Sequence, residues 1–340
     1  MRRCHFLACL ALVVAGFLPG QLLGESLVIA HRGASAYFPE HTMEAYALAY
    51  GQGADYLEPD LVMTADGYMI ALHDLTLEAT SNVAEIFPDR ARDDGGFYAI
   101  DFTLAEIRQL KVGERIEAGT GEARYPERWP VGLGEFRIVE FGEMIDMTRE
   151  LNRATGRRVG LYPELKFPRF HAEHGQDFGQ ALARMLVQHG LPSANLPVFI
   201  QSFEPEPLVA IRAEFGDRFP LIQLIGLNDW DMNHVDYEAM GTHEGLARVA
   251  EYAVGIGPVL TLLVDGDFNG EPRASAVFES ARALGLAMHP YTFRREGLPS
   301  GVSLETLLDF FFHVLEIDGV FTDNPDVAVE RRASRLDQRP

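Results

Sequence analysis

At 340 residues and 47% hydrophobic composition the chain can bury a core of its own, and its formal charge of −21 excludes nucleic acid and anionic membrane as partners. The same charge repels an anionic substrate. Any phosphate site must therefore be made locally positive, most simply by a bound divalent cation beside Arg32 and Lys166.

Residues 1–24, with Arg2 and Arg3, an apolar run from Phe6 to Leu18 and then Pro19, Gly20 and Gly24, resemble a secretory signal peptide too short to span a bilayer. A cut near Gly24 removes both cysteines, Cys4 and Cys9, and leaves residues 25–340 as one exported, periplasmic domain without thiols. No later run reaches the length of a membrane helix, so no transmembrane segment is expected in the mature chain. Strand-like runs follow at Ser26–Ala30, Tyr56–Val62, Met69–Leu72, Val159–Leu161, Val198–Ile200, Leu221–Leu227, Ala253–Ile256, Leu286–Met288 and Gly319–Phe321. Helical spacing marks Thr42–Tyr50, Phe178–His189, Glu206–Phe215, His243–Tyr252, Arg273–Leu284 and Leu304–Leu315. Repeated alternation of this kind, with no glycine-rich dinucleotide loop after the first strand, predicts an α/β fold closed into a TIM (β/α)8 barrel. One stretch breaks the rhythm. From about Glu78 to Arg137 the chain is polar and rich in Gly, Pro, Arg and Asp, and reads as a lid-like insertion (78–137) over the barrel mouth. Its only clear helix is Leu104–Leu110, announced by Thr103 as N-cap with Glu106 three residues on.

The chemistry-bearing residues stand at the ends of the strand-like runs. Glu58 and Asp60, two apart on one strand, share a face, and Glu164 lies at the tip of a later strand. Together they offer an all-oxygen site for one hard divalent cation, Ca2+ or Mg2+. His31 and His73 each follow a strand and form a candidate general acid and base. Arg32 offers a planar fork and Lys166 a point charge for phosphate oxygens. Glu40 is placed to orient Arg32 or His31, while Gln201, Phe203, Tyr291 and Phe293 follow later strands and could wall a pocket. His171 and His174 have the spacing of metal ligands, but their polar surroundings read as a solvated face. Asp323 is expected to bond loop amides or cap a turn. The set suits metal-assisted cleavage of a phosphodiester, with water or a neighbouring substrate hydroxyl as nucleophile.

In His31-Arg32-Gly33-Ala34, Pro39-Glu40-His41-Thr42, Gly53-Ala54-Asp55-Tyr56-Leu57-Glu58, Asp60, His73-Asp74, Tyr162-Pro163-Glu164-Leu165-Lys166 and Thr322-Asp323 the chain resembles the glycerophosphodiester phosphodiesterase family. Within the insertion, Phe87-Pro88-Asp89-Arg90-Ala91-Arg92 and Tyr98-Ala99-Ile100-Asp101-Phe102-Thr103 resemble its periplasmic bacterial branch. The resemblance implies a barrel enzyme that hydrolyses small-molecule glycerophosphodiesters such as glycerophosphocholine and glycerophosphoethanolamine to sn-glycerol 3-phosphate and an alcohol. It also implies a divalent metal, commonly Ca2+, on Glu58, Asp60 and Glu164, with His31 and His73 as acid and base. The family often has an arginine shortly after the His73-Asp74 pair; Leu77-Glu78-Ala79-Thr80 lacks it, which puts a supporting contact in question. A rival acting on intact lipid would need an apolar rim, which the acidic composition does not suggest. A non-catalytic exported binding protein would have little use for three carboxylates and two histidines. The oligomeric state stays open.

Overall fold

The computed structural model describes residues 25–334 apart from 118, 231–233, 267 and 269. The signal peptide expected at 1–24 lies outside them. The strands are β1 Leu27–His31, β2 Tyr56–Glu58, β3 Asp60–Met63, β4 Met69–Ala71, β5 Gly160–Leu161, β6 Glu164–Leu165, β7 Ile200–Ser202, β8 Leu221–Ile225, β9 Gly255–Pro258, β10 Val264–Asp265, β11 Arg273–Ala274, β12 Ala287–Met288 and β13 Gly319–Thr322. Two staves are broken, β2 from β3 at Pro59 and β5 from β6 at Tyr162-Pro163, because proline has no amide to give to a ladder. Backbone bonding carries across both breaks, with Tyr162 N on Leu57 O and Glu164 N on Pro59 O, each at 2.9 Å.

Parallel neighbours run β13, β1, β2, β5 in one ladder and β12, β9, β8, β7, β6, β3 in the other. No ladder joins β12 to β13. There, Phe321 N reaches Pro290 O at 3.0 Å and Phe293 N reaches Phe321 O at 2.8 Å, which carries the ring across the last junction. The fold is a TIM barrel, and its C-terminal strand ends, where such barrels place their sites, hold Glu58, Lys166 and Thr322. Inside the barrel, Ile29, Tyr162, Ile222 and Phe321 form a small buried layer beneath that end.

Several expectations need correction. Met69–Leu72 is not a stave. β4 pairs antiparallel with β3, Val62 opposite Ile70, because only residues 64–68 separate them and a parallel crossover needs about a dozen. The helix Phe141–Thr155, absent from the spacing analysis, is fixed by a capping box between Glu140 and Glu143 and buries Phe141, Met144 and Ile145. The helix expected from Arg273 starts only at Ala276, capped by Ser275, because Arg273–Ala274 pairs with β10.

The segment 78–137 is more than surface decoration. Phe97, Phe102, Leu104, Ile107, Leu110, Val112 and Phe136 form a second core packed on Val62, Ile70 and Leu72 of the β3–β4 hairpin. Thr103 and Glu106 do form the capping box, but the helix is a short Leu104–Ile107, and Val83–Ile86 makes another single turn that the polar composition hid.

After β1 the chain turns through Arg32 at φ 59° and Gly33 at φ 85°, both left-handed. A Cβ on Gly33 would lie 2.7 Å from the Ala45 carbonyl carbon in the helix Met43–Gln52. Gly33→Ala is therefore expected to cost about 2–4 kcal/mol, the sum of left-handed strain and overpacking, read as a lowered urea midpoint.

Candidate active site

Glu58 ends β2 and Asp60 begins β3, so the two carboxylates flank Pro59 on one face. Asp60 pairs in register with Glu164 at the start of β6, and Glu164 with Gln201 of β7. One carboxylate oxygen from each of Glu58, Asp60 and Glu164 lies within 4.8 Å of the others, the only such acidic or histidine cluster among the described residues. All three are buried. Burial and the neighbouring carboxylates push Glu58 well above the usual range and Glu164 up to about 8. Asp60 goes the other way. Burial opposes its ionisation, but Lys166, Arg32 and His41 together hold it well below the usual range.

This donor set fits a hard divalent cation. Three carboxylates converge, and the buried Oε1 of Gln201 accepts no hydrogen bond, although its Nε2 donates to Glu58 Oε1 at 3.2 Å. His41 supports the cluster from behind: its ring nitrogens meet Asp60 Oδ2 at 3.0 Å and the Tyr46 hydroxyl at 2.8 Å. Thr42, whose hydroxyl accepts from Ala45 N, starts the helix that carries Tyr46.

Two cations border the carboxylates. The turn after β1 directs Arg32 N to Glu58 Oε2 at 2.8 Å, and brings its guanidinium to 3.1 Å from Asp60 and 3.1 Å from Glu40. Lys166 Nζ stands 2.9 Å from Glu164 Oε1. Glu40 contacts Arg32 and Arg115, with no hydrogen bond to His31.

The two imidazoles sit on matching supports. His31 Nδ1 meets Asp323 Oδ1 at 2.6 Å, and Asp323 Oδ2 accepts from Arg128 at 2.6 Å. His73 Nδ1 meets Asp74 Oδ1 at 2.5 Å, and Asp74 Oδ2 accepts from Arg115 at 2.5 Å. Their side chains keep 13% and 27% exposure, enough for a substrate to touch each ring. Burial, then Arg32, lowers the proton affinity of His31 against the pull of Asp323. Burial, then Arg32 and Lys166, brings His73 down to about 3. Both rings thus give up a proton more readily than a free imidazole.

His31, Arg32, Glu58, His73, Glu164, Lys166, Gln201 and Phe203 all border one cavity of about 750 Å³. Arg115, Arg124 and Tyr125 reach it from segment 78–137, and Trp230, Val259, Leu260, Phe268 and Leu298 make an apolar wall that composition did not foreshadow. Tyr291 borders it too, but Phe293 is fully buried in the core. Asp323 is no mere turn residue, since it takes up His31. Asp74 has its arginine after all, from Arg115 rather than from the loop that follows it. Arg115 and Arg128 have nothing local to mark them, whereas His41 stands in the Pro39-Glu40-His41-Thr42 motif without its role being legible there. His171 is not solvated: it is 1% exposed and packs on Phe178, whereas His174 stays at the surface.

A barrel with a buried three-carboxylate cluster, two carboxylate-held imidazoles and an arginine–lysine pair defines an enzyme for an anionic substrate. Residues 31–327 match the model of the glycerophosphoryl diester phosphodiesterase family, and the chain belongs to that family. It is 35% identical to a glycerophosphodiester phosphodiesterase of Haemophilus influenzae over 94% of this chain and 96% of that one. A Treponema pallidum protein of the same name is 31% identical over 90% of this chain and 91% of its own length. Among solved structures, a putative glycerophosphoryl diester phosphodiesterase of Silicibacter pomeroyi superposes with a TM-score of 0.65 at 22% identity, covering 92% of this chain and 95% of that one. An Oleispira antarctica phosphodiesterase in complex with sn-glycerol-3-phosphate gives 0.61 at 21% identity, covering 91% and 98%.

Because Glu58 and Glu164 are pushed upward, the ion-free cluster carries protons at pH 7, and a cation must expel them. Divalent-ion binding is expected to release protons and to tighten as pH rises towards about 8. Calorimetric titration in buffers of different ionisation enthalpy measures both.

Proposed function

We propose that the protein is a metal-dependent glycerophosphodiester phosphodiesterase that hydrolyses substrates such as glycerophosphocholine and glycerophosphoethanolamine to sn-glycerol 3-phosphate and the free alcohol. The observation that carries this reading is the convergence of Glu58, Asp60 and Glu164 beside two carboxylate-held imidazoles in one cavity. The names of the relatives and the sn-glycerol-3-phosphate held by the Oleispira antarctica protein agree with it.

Glu58, Asp60 and Glu164 hold the cation; the all-oxygen set suits a hard ion, Ca2+ or Mg2+, and the resemblance to the periplasmic branch favours Ca2+. When bound, the ion supplies positive charge against the phosphate oxygens. Arg32 and Lys166 add charge-assisted hydrogen bonds to those oxygens as negative charge grows on them. His31 and His73 divide the proton work. Each meets a carboxylate through Nδ1, which leaves Nε2 to face the substrate. The ring that acts as base is neutral and takes the nucleophile's proton on Nε2, while the ring that acts as acid enters as the imidazolium, its charge met by its carboxylate, and passes its Nε2 proton to the departing alkoxide. Glu40 steadies the Arg32 fork, and Gln201 and Phe203 shape the wall beside Glu58 and Lys166.

The leader-like run at Phe6–Leu18 behind Arg2 and Arg3, together with the confinement of both cysteines to residues 1–24, supports export to the periplasm. A second reading, cleavage of lysophospholipids, draws support from the apolar wall at Val259, Leu260 and Leu298. Assays of glycerophosphocholine beside lysophosphatidylcholine separate the two readings by relative kcat/KM.

Chelation is expected to abolish release of sn-glycerol 3-phosphate from glycerophosphocholine, and Ca2+ to restore it. His31→Ala and His73→Ala should each lose about 100-fold or more in kcat while still binding Ca2+. Near-native turnover in either variant refutes the role of that histidine.

A further inference from the structure

We infer that segment 78–137 takes part in the reaction through two positioning residues, Arg115 and Arg128, each of which locks the carboxylate that orients one of the two imidazoles. The inference rests on the acid and base roles proposed above for His31 and His73, and adds to them the reason the rings stay aimed.

The two supports have the same construction. His73, Asp74 and Arg115 form one chain of contacts, and His31, Asp323 and Arg128 the other. In both, the carboxylate gives one oxygen to imidazole Nδ1 and the other to a guanidinium. The arginines are 8% and 6% exposed, come from irregular stretches of the segment, and reach carboxylates 41 and 195 residues away in the chain. A carboxylate gripped on both sides cannot rotate without breaking a charge-assisted bond, so the ring it holds keeps one tautomer and one aim.

Each arginine also grips a second carboxylate. Arg115 places Nε and an NH2 on Glu40 at 3.1 and 2.7 Å, and Glu40 in turn holds Arg32. Arg128 places Nε and an NH2 on Glu296 at 2.6 and 2.9 Å, donates to Ser35 O at 3.2 Å and lies 4.0 Å from the Tyr125 ring centre. If these arginines served only to fasten the segment to the barrel, the work would be duplicated, because the Phe97–Phe102–Phe136 core already fastens it to the β3–β4 hairpin. Both carboxylates gripped by Arg115 touch His73 or Arg32, and one of the two gripped by Arg128, Asp323, touches His31. Arg115 thus sets His73 and Arg32 together, while Arg128 sets His31 alone.

The variants Arg115→Lys and Arg128→Lys keep the charge but lose the planar fork, since an ammonium cannot span two carboxylates in the same geometry. They are assayed on glycerophosphocholine and on glycerol 3-(4-nitrophenyl phosphate), whose leaving group needs no protonation. Each variant is expected to lose about 10- to 100-fold in kcat on glycerophosphocholine. KM should stay near native for Arg128→Lys and rise for Arg115→Lys, which also loosens Arg32. The variant standing behind the acid histidine recovers most of its loss on the nitrophenyl ester, and the one behind the base does not. Guanidinium ion should restore part of the activity of Arg128→Ala. Calcium binding and the thermal midpoint of both lysine variants should match the native protein.

Native kcat in both lysine variants, or equal losses on the two esters for both, overturns the inference. So does a loss of kcat that travels with lost calcium binding or a lowered thermal midpoint, which would make the arginines simple fasteners. Inactive His31→Ala and His73→Ala variants beside native lysine variants sink this inference alone. Active histidine variants sink the reading on which it stands.

Discussion

Three carboxylates held together out of water are the constraint to which the rest of the site answers. Like charges at that separation cannot all ionise in a poor dielectric unless positive charge meets them. Glu58 and Glu164 are pushed towards the protonated form, and Asp60 is kept ionised by Lys166, Arg32 and His41. The backbone serves the same end. The left-handed turn at Arg32 and Gly33 brings an amide and a guanidinium back onto Glu58 and Asp60, and the Thr42 cap starts the helix whose Tyr46 hydroxyl holds His41.

Seen from the cavity, the chain's overall negative charge is locally offset. Arg32, Lys166 and Arg115 border the cavity, and Arg128 stands behind Asp323, each matched to a carboxylate in the ion-free protein. A cation seated on Glu58, Asp60 and Glu164 would relieve these pairings in part and leave Arg32 and Lys166 free to meet phosphate. Local electrostatics of this kind resolves the conflict between a formal charge of −21 and an anionic substrate.

The strands, the barrel and the short-range motifs were legible because each is written locally. Aliphatic runs at regular intervals mark staves, and Glu58 with Asp60 needs only the alternation of a strand to share a face. What stayed hidden is non-local or depends on length. β4 carries a good strand pattern, and only the short turn to β3 shows that it must run antiparallel. The helix Phe141–Thr155 depends on a capping box led by glutamate rather than by serine or threonine. Arg115 and Arg128 sit in a stretch where arginines alternate with acids throughout, so no spacing sets these two apart; their partners lie 41, 75, 168 and 195 residues away. Asp323 resembles an ordinary turn former because its partner, His31, lies 292 residues earlier.

That last separation bears on how the protein comes into being. β1 finds its partner in β13, and His31 its carboxylate one residue past β13, so the first stave waits for the last. Synthesis from the amino end presents His31 early and Asp323 292 residues later. Until those final residues emerge, the ring stands open along one seam and the catalytic pocket lacks a wall. A chain that stops short of β13 therefore lacks both the partner of the first stave and the carboxylate that holds His31.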